Sequence, residues 1–229
     1  MLRGPSAHHA LTVLRFRVGH EIILCDGMGV DYVGRMVSYT DKPATITFSL
    51  LSSTPSIPEP PVQITLYQGI PKGDKMEWII EKCIEVGVHK IVAVCTSRSV
   101  VKIKDAIKKK ERFMRVAESA ASQCMRGIIP EIVGPIHFGE AIEYGEEDST
   151  HIIAYENEKE ASIKSALSKM RPQPVSLWIG PEGGFAEDEI AALKSKKAAC
   201  TVSLGSRILR TETAGIVALS QILCIWDSD

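Results

Sequence analysis

The sequence contains no apolar run near the roughly 18 residues that would span a bilayer. Its opening stretch, MLRGPSAHHALTVLR, lacks the apolar segment of a secretory leader. The six Cys, at 25, 83, 95, 124, 200 and 224, form no C-x-x-C pair, and most lie inside apolar segments. They read as reduced core residues rather than disulfide partners, which places the chain in the cytoplasm. The scattered His and Cys supply no ligand cluster, so no metal is expected. Internal repeats and low-complexity tails are also missing. What is present is ordinary globular material: 229 residues, 45% apolar and 24% charged, with a formal net charge of −1. That balance excludes a wholly disordered chain.

The near-zero charge is unevenly spread. Residues 1–60 are neutral, 61–135 carry a surplus of five positive charges, and 136–229 a surplus of six negative ones. Nine Lys/Arg against three Asp/Glu fall within 98–126. Such a stretch is either a solvated helix face or a local attractor for a polyanion, and composition leaves both open.

Four of the 12 prolines lie between positions 55 and 61 in TPSIPEPP. Proline fixes φ and removes donors, so 54–61 reads as an extended linker. Before it, at 1–53, short β-type runs (EIILC, DYVGRMVSY, ATITFSL) and the DGMG turn predict a small β domain. After it, at 62–229, strand-like and helix-like segments alternate. Strands are expected near 62–69, 89–95, 149–155, 175–180 and 200–205. Helices are expected over 73–87, within 105–127, over 159–170, near 187–197 and from 211 to 226. That alternation predicts an α/β domain with a mostly parallel sheet, whose ligands bind beyond the carboxyl ends of the strands.

Two strand ends carry chemistry. IGPEGGF (179–185) follows an apolar strand; its glycines let backbone approach a ligand closely, although an ordinary Gly-rich connection has the same composition. It is not a P-loop, since no Gly-Lys-Ser/Thr follows, and Tyr32 breaks the only partial G-x-G-x-x-G. LGSRILRTETA (204–214) sets Ile208 and Leu209 in a loop between Arg207 and Arg210. An apolar pocket with cationic donors beside it would explain this pattern, as would a capped helix start with surface arginines. Thr211-Glu212-Thr213 has the hydroxyl and acid of a helix N-terminus.

Together, GPEGGF and LGSRILRTETA resemble the signature of the SPOUT-type methyltransferases, and more narrowly of the RsmE family, which methylates uridine N3 in 16S ribosomal RNA. His9-x3-VLR15-x3-Gly19 resembles the start of that family's PUA-like N-terminal domain. KGDKMEWIIEKCIEVGV (72–88), RSV (98–100) and the Gln123-x2-Arg126-x3-Pro130 spacing fit its catalytic domain. Ala186 departs from the family's Ser, although its capping-box partner Glu189 is present.

The resemblance implies a trefoil-knotted parallel-sheet catalytic domain behind a PUA-like β-barrel. It also implies a homodimer, S-adenosyl-L-methionine as cofactor, and 16S rRNA of the small ribosomal subunit as partner. Carried onto this sequence, the cofactor residues are Tyr155, Glu156, Asn157, Gly180, Pro181, Glu182, Gly183, Gly184, Leu204, Gly205, Ile208, Leu209 and Thr213. RNA contacts are expected from His9, Arg15, Arg17, Lys72, Arg98, Lys108, Lys109 and Arg126. Arg210 is the candidate catalytic donor, with Glu212 orienting it or accepting a proton. Two other readings share the fold: an inactive RNA-binding assembly factor, and a methyltransferase for a different RNA base.

Overall fold

The computed structural model describes residues 1–57, 59–99, 105–145 and 149–226. Pro58, Val100, Lys102 and Lys104, all used in the sequence argument, lie outside them. The chain divides into two units, Met1–Glu59 with Met125–Ile129, and Pro60–Cys124 with Pro130–Asp229. Among the described residues no helix is long and apolar enough to cross a membrane, and no cluster of His, Cys, Asp and Glu is arranged to hold a metal ion.

The first unit is a four-stranded antiparallel sheet with one helix. Its elements are β1 (Leu2–Arg3), α1 (Gly4–Thr12), β2 (Glu21–Cys25), β3 (Val30–Asp41) and β4 (Ala44–Pro55), in sheet order β1-β4-β3-β2. The DGMG turn forms as its chemistry dictates: Asp26 Oδ1 accepts the N–H of Met28 at 2.7 Å and of Val30 at 3.1 Å. Pro55 pairs with Val30 at the end of β4, so the ladder runs into the stretch read as linker. Pro tolerates this place because a strand end leaves its missing donor unneeded. The sequence pattern gave no sign of α1, where Pro5 sits in the first turn and buried Ala7 and Ala10 pack on Met36 and Ile46.

Residues 125–129 return to this unit. Gly127 O accepts the Gly29 N–H at 2.9 Å and the Cys25 thiol at 3.3 Å, and Ile129 N–H reaches Gly27 O at 3.3 Å. The guanidinium of Arg126 is bonded to the Glu59 carboxylate with its side chain only 10% exposed.

The second unit is a six-stranded parallel sheet in the order β10-β8-β9-β5-β6-β7. In chain order it comprises β5 (Ile64–Gly69), α2 (Lys75–Val86), β6 (Lys90–Cys95), α3 (Ala106–Gln123), β7 (Glu131–His137) and α4 (Phe138–Tyr144). Then follow β8 (Thr150–Ala154), α5 (Ile163–Leu167), β9 (Val175–Ile179), α6 (Glu187–Lys194), β10 (Ala199–Val202) and α7 (Thr211–Trp226). Both sheet faces are covered, which is why the strands are apolar at successive positions. Ile64, Leu66, Ile91, Ala93, Ile152, Val175 and Leu177 point to one core, closed by α2, α3, α5 and α7. Tyr67, Val92, Val94, Ile153 and Trp178 point to the other, closed by α4 and α6. Tyr67 and Trp178 are register partners and stack at 4.0 Å.

Several expectations are corrected. The β7–α4 pair was not foreseen, because Gly134 and Pro135 interrupt EIVGPIH; an edge strand tolerates them. The helix expected over 159–170 shrinks to five residues. Glu158 Oε1 accepts the N–H groups of Glu160 and Ala161, folding 158–161 into a turn, and Ser162 caps what remains. Of the cysteines only Cys83 is buried, its thiol pushed up to about 12 by burial, while Cys25 and Cys224 are exposed.

At the start of α6, Ala186 offers no side-chain cap, and Glu189 carries the turn alone. Its buried carboxylate accepts Ala186 N–H at 2.9 Å and Ser97 N–H at 2.8 Å. Ala186→Ser should therefore raise stability by about 1 kcal/mol, read from the shift in denaturant midpoint. Glu189→Ala should destabilise by about 1–3 kcal/mol, because two N–H groups lose their acceptor. A Glu189→Ala protein as stable as the parent would show that these N–H groups find other acceptors.

Candidate functional site

At the carboxyl ends of β8, β9 and β10 lies a cavity of about 1110 Å3. Its walls are drawn from 154–162, 179–184 and 202–211, with Ala214 of α7. Adjacent parallel strands deliver these segments side by side, so the sheet itself sets their spacing.

Glycine makes the middle wall thin. A Cβ on Gly180 would lie 2.9 Å from Gly184 Cα, and Gly184 has a φ of +67°, so the loop folds tightly on itself. A Cβ on Gly69, at the end of β5, would meet Pro181 Cδ at 2.5 Å, so the loop also lies flat on that strand end. By contrast, a Cβ on Gly183 would meet only the Arg98 side chain at an ordinary 3.4 Å. Arg98 donates to Gly183 O at 2.8 Å. The Glu182 carboxylate accepts the Lys72 N–H at 3.1 and 3.3 Å and faces the Lys75 ammonium at 3.1 Å. Burial opposes ionisation of Glu182, yet its own N–H, the Lys75 ammonium and the Lys72 N–H hold its carboxyl below the usual range.

The third wall is anchored from beneath. The buried Thr211 hydroxyl donates to Gly180 O at 2.6 Å and accepts from the Gln68 amide at 2.9 Å, so it is not the helix cap that the sequence suggested. Arg210 O accepts the N–H groups of Thr213 and Ala214, both at 2.9 Å, which fixes exposed Arg210 at the start of α7. Leu209 packs on the larger core, whereas Ile208 is 90% exposed.

In the first wall, the Tyr155 ring packs on the smaller core, and Asn157 donates to its hydroxyl at 3.0 Å. Glu156 lies across from Gly184, whose Cβ would fall 2.6 Å from Glu156 Oε1. The Glu158 carboxyl is held down to about 2 by the N–H groups of Glu160 and Ala161 and by the Thr201 hydroxyl.

Of the residues singled out in the sequence, Tyr155, Glu156, Gly180, Pro181, Glu182, Gly183, Gly184, Leu204, Gly205, Ile208, Leu209 and Arg210 meet around this cavity. Asn157 and Thr213 do not line it. Glu212 turns to Lys75, 3.4 Å away, rather than into the cavity. Sequence reasoning missed Glu158, Glu160, Ser162 and the anchor made by Gln68; a polar Gln inside an apolar strand was the available signal for the last. Among the phosphate candidates, His9, Arg15, Arg17, Lys72 and Lys108 are exposed and Lys109 is half-buried. Arg98, also exposed, donates to Gly183 O, and Arg126 is bonded to the Glu59 carboxylate.

Comparisons with known proteins bear on this arrangement. A family model described as an RNA methyltransferase domain matches residues 58–223, and one described as an RNA methyltransferase PUA domain matches 2–49. The ribosomal RNA small subunit methyltransferase E of Bacillus subtilis is 36% identical, across 96% of this chain and 88% of that protein. A crystal structure of the protein of that name from Neisseria gonorrhoeae, bound to S-adenosyl methionine, is 30% identical. It superposes with a TM-score of 0.85, covering 98% of this chain and 91% of the other. A putative methyltransferase from Legionella pneumophila, solved with its bound cofactor SAM, is 31% identical with a TM-score of 0.85, covering 96% and 90%. With both units matched and nearly the whole length shared, the chain belongs to the ribosomal RNA small subunit methyltransferase E family.

Proposed function

We propose that this protein transfers the methyl group of S-adenosyl-L-methionine to N3 of a uridine in 16S rRNA of the small ribosomal subunit. The observation that carries the reading is the cavity beyond β8, β9 and β10, whose middle wall exposes backbone at Gly180 and Gly184, where a side chain would not fit. Backbone donors and acceptors there suit a ligand rich in hydrogen-bonding groups, and the apolar Leu209 and Ile179 beside them suit an adenine ring. Tyr155, Glu156, Gly180 to Gly184, Leu204, Gly205, Ile208 and Leu209 would hold the cofactor, with Asn157 steadying the Tyr155 hydroxyl; Thr213 does not line the cavity.

The cofactor supplies an electrophilic methyl on sulfonium sulfur, and this chain's residues must prepare the nucleophile. Uridine N3 carries a weakly acidic proton, which leaves as the ring attacks. Negative charge then develops on the uracil carbonyls, and a fixed guanidinium beside them lowers the barrier. Arg210 is exposed and lines the cavity, and its backbone is held at the start of α7, which supports that role. Exposed His9, Arg15 and Arg17 of the first unit, with Lys72, Lys108 and Lys109 of the second, would carry the RNA phosphates. The strand order, with β9 between β8 and β5, supports a knotted path; the homodimer is what the family resemblance implies.

Arg210→Ala should lose a factor of about 100 to 1,000 in single-turnover methyl transfer to small-subunit particles, with cofactor affinity nearly unchanged. Near-normal turnover would remove Arg210 from catalysis; lost cofactor binding would make it a pocket residue. For the pocket itself, Gly180→Ala should weaken cofactor binding by roughly tenfold or more, because its Cβ meets backbone. Gly183→Ala should stay within about threefold, since its Cβ meets only ordinary contacts. Calorimetry on both variants checks this, and equal losses would contradict the crowding argument.

A further inference from the structure

Lys75 sits at the first position of α2 and reaches two carboxylates from different segments. Its ammonium is 3.1 Å from Glu182 in the 180–184 loop and 3.4 Å from Glu212 in the first turn of α7. Glu182 keeps a second hold through the Lys72 N–H, but Glu212 Oε2 does not. That oxygen is buried and has no hydrogen-bond partner among the described residues, so the Lys75 ammonium is its counter-charge. The Glu212 side chain is 20% exposed, which leaves little water to do the same work.

Glu212 follows Arg210 by two residues, at the point where the chain enters α7. Only one residue separates Glu212 from exposed Arg210 along the chain. Arg–carboxylate forks are among the strongest polar pairs, so a Glu212 carboxylate without Lys75 has a guanidinium within chain reach as its next partner. We propose that Lys75 is a positioning residue for methyl transfer: by occupying Glu212 it keeps the Arg210 guanidinium free to face the substrate. By also holding Glu182, it fixes the 180–184 loop against the start of α7. The proposal rests on the function proposed above. The Glu182 and Glu212 carboxylates also raise the affinity of Lys75 for its proton, with the Glu182 hydrogen bond the larger cause, so the cation persists through neutral pH.

The test compares wild type, Lys75→Met, Lys75→Arg and the double variant Lys75→Met/Glu212→Gln in the full chain. Each is followed by single-turnover methylation of small-subunit particles, calorimetry with S-adenosyl-L-methionine, and amide hydrogen exchange over 206–214 without cofactor. Lys75→Met should slow transfer by roughly ten- to a hundredfold, the scale of a misplaced catalytic group. Cofactor affinity should move by less than about threefold, a split expected when an interaction matters mainly in the transition state. Exchange over 206–214 should change, because Glu212 takes a new partner. Lys75→Arg should retain most of the rate. Removing the stranded charge in the double variant should restore most of what Lys75→Met loses, an outcome that simple loss of a surface ion pair does not produce.

Lys75→Met with wild-type turnover, or a double variant no faster than Lys75→Met, overturns the positioning role while leaving the methyltransferase reading intact. Wild type that neither binds the cofactor nor methylates the particles overturns both. If Lys75→Met fails to fold, the comparison of Lys75→Arg with the double variant decides: a double variant slower than Lys75→Arg by more than about tenfold overturns the proposal.

Discussion

Thr211 stands where three segments converge, and its hydroxyl serves all of them. It donates to Gly180 O from the β9 loop and accepts from Gln68 near the end of β5, while its own backbone begins α7. Gln68 in turn donates to Gly69 O, so the amide ties the end of β5 to the start of α7, and the Thr211 hydroxyl adds the end of β9. All four residues are removed from water or nearly so, which makes each bond costly to lose. A parallel sheet creates this demand. Its strands end on the same side, and each end leaves carbonyls that must find donors as the chain turns away. Here the donors are the Gln68 amide of the same strand for Gly69 O and the Thr211 hydroxyl at the start of α7 for Gly180 O, so the cavity wall cannot shift without breaking them.

Close approach does the rest. Gly69 lies against Pro181, and Gly180 against Gly184, at separations that no side chain permits. The two-sided core holds that geometry from below: Leu177 and Trp178 are both fully buried, on opposite faces of the same strand. A loop attached to a strand so tightly packed on both sides inherits its rigidity. Side chains then need only finish the outer contacts. Arg98 secures the Gly183 carbonyl, and Lys72 secures Glu182 through its N–H.

What could be read in the sequence follows from what periodicity encodes. The long apolar segments were legible because burial on both faces leaves a continuous run: VSLWI is β9, and the helix expected from 211 to 226 is α7, Thr211–Trp226. Elements built from few apolar residues were not legible. GPSAHHALT buries only two alanines and becomes α1, and EIVGPIH is a strand despite Gly134 and Pro135 because it lies at an edge. Long-range polar pairings were invisible as well. Nothing local assigns Arg126 to Glu59, or Glu212 to Lys75. Each pairing joins residues more than 60 positions apart, and charge alone does not choose a partner over that separation.

The candidate site shows the same limit from the other side. Its middle wall is mostly backbone, and backbone leaves no chemical trace in a sequence except through the residues that allow it to be exposed. GPEGG is therefore both the strongest signal of the site and an incomplete one. It marks a place where the main chain is bare, while the reason for bareness differs from one glycine to the next. Gly180 is required by its neighbours, Gly184 by its positive φ, and Gly183 by neither. The side chains that distinguish this cavity from an ordinary turn come from elsewhere: Gln68 and Lys75 from the far end of β5 and the start of α2, and Glu156 from the β8 loop. Strand order brings them together, with β9 beside both β8 and β5 although these are separated along the chain. The chemistry of the site is thus a property of the topology before it is a property of any motif.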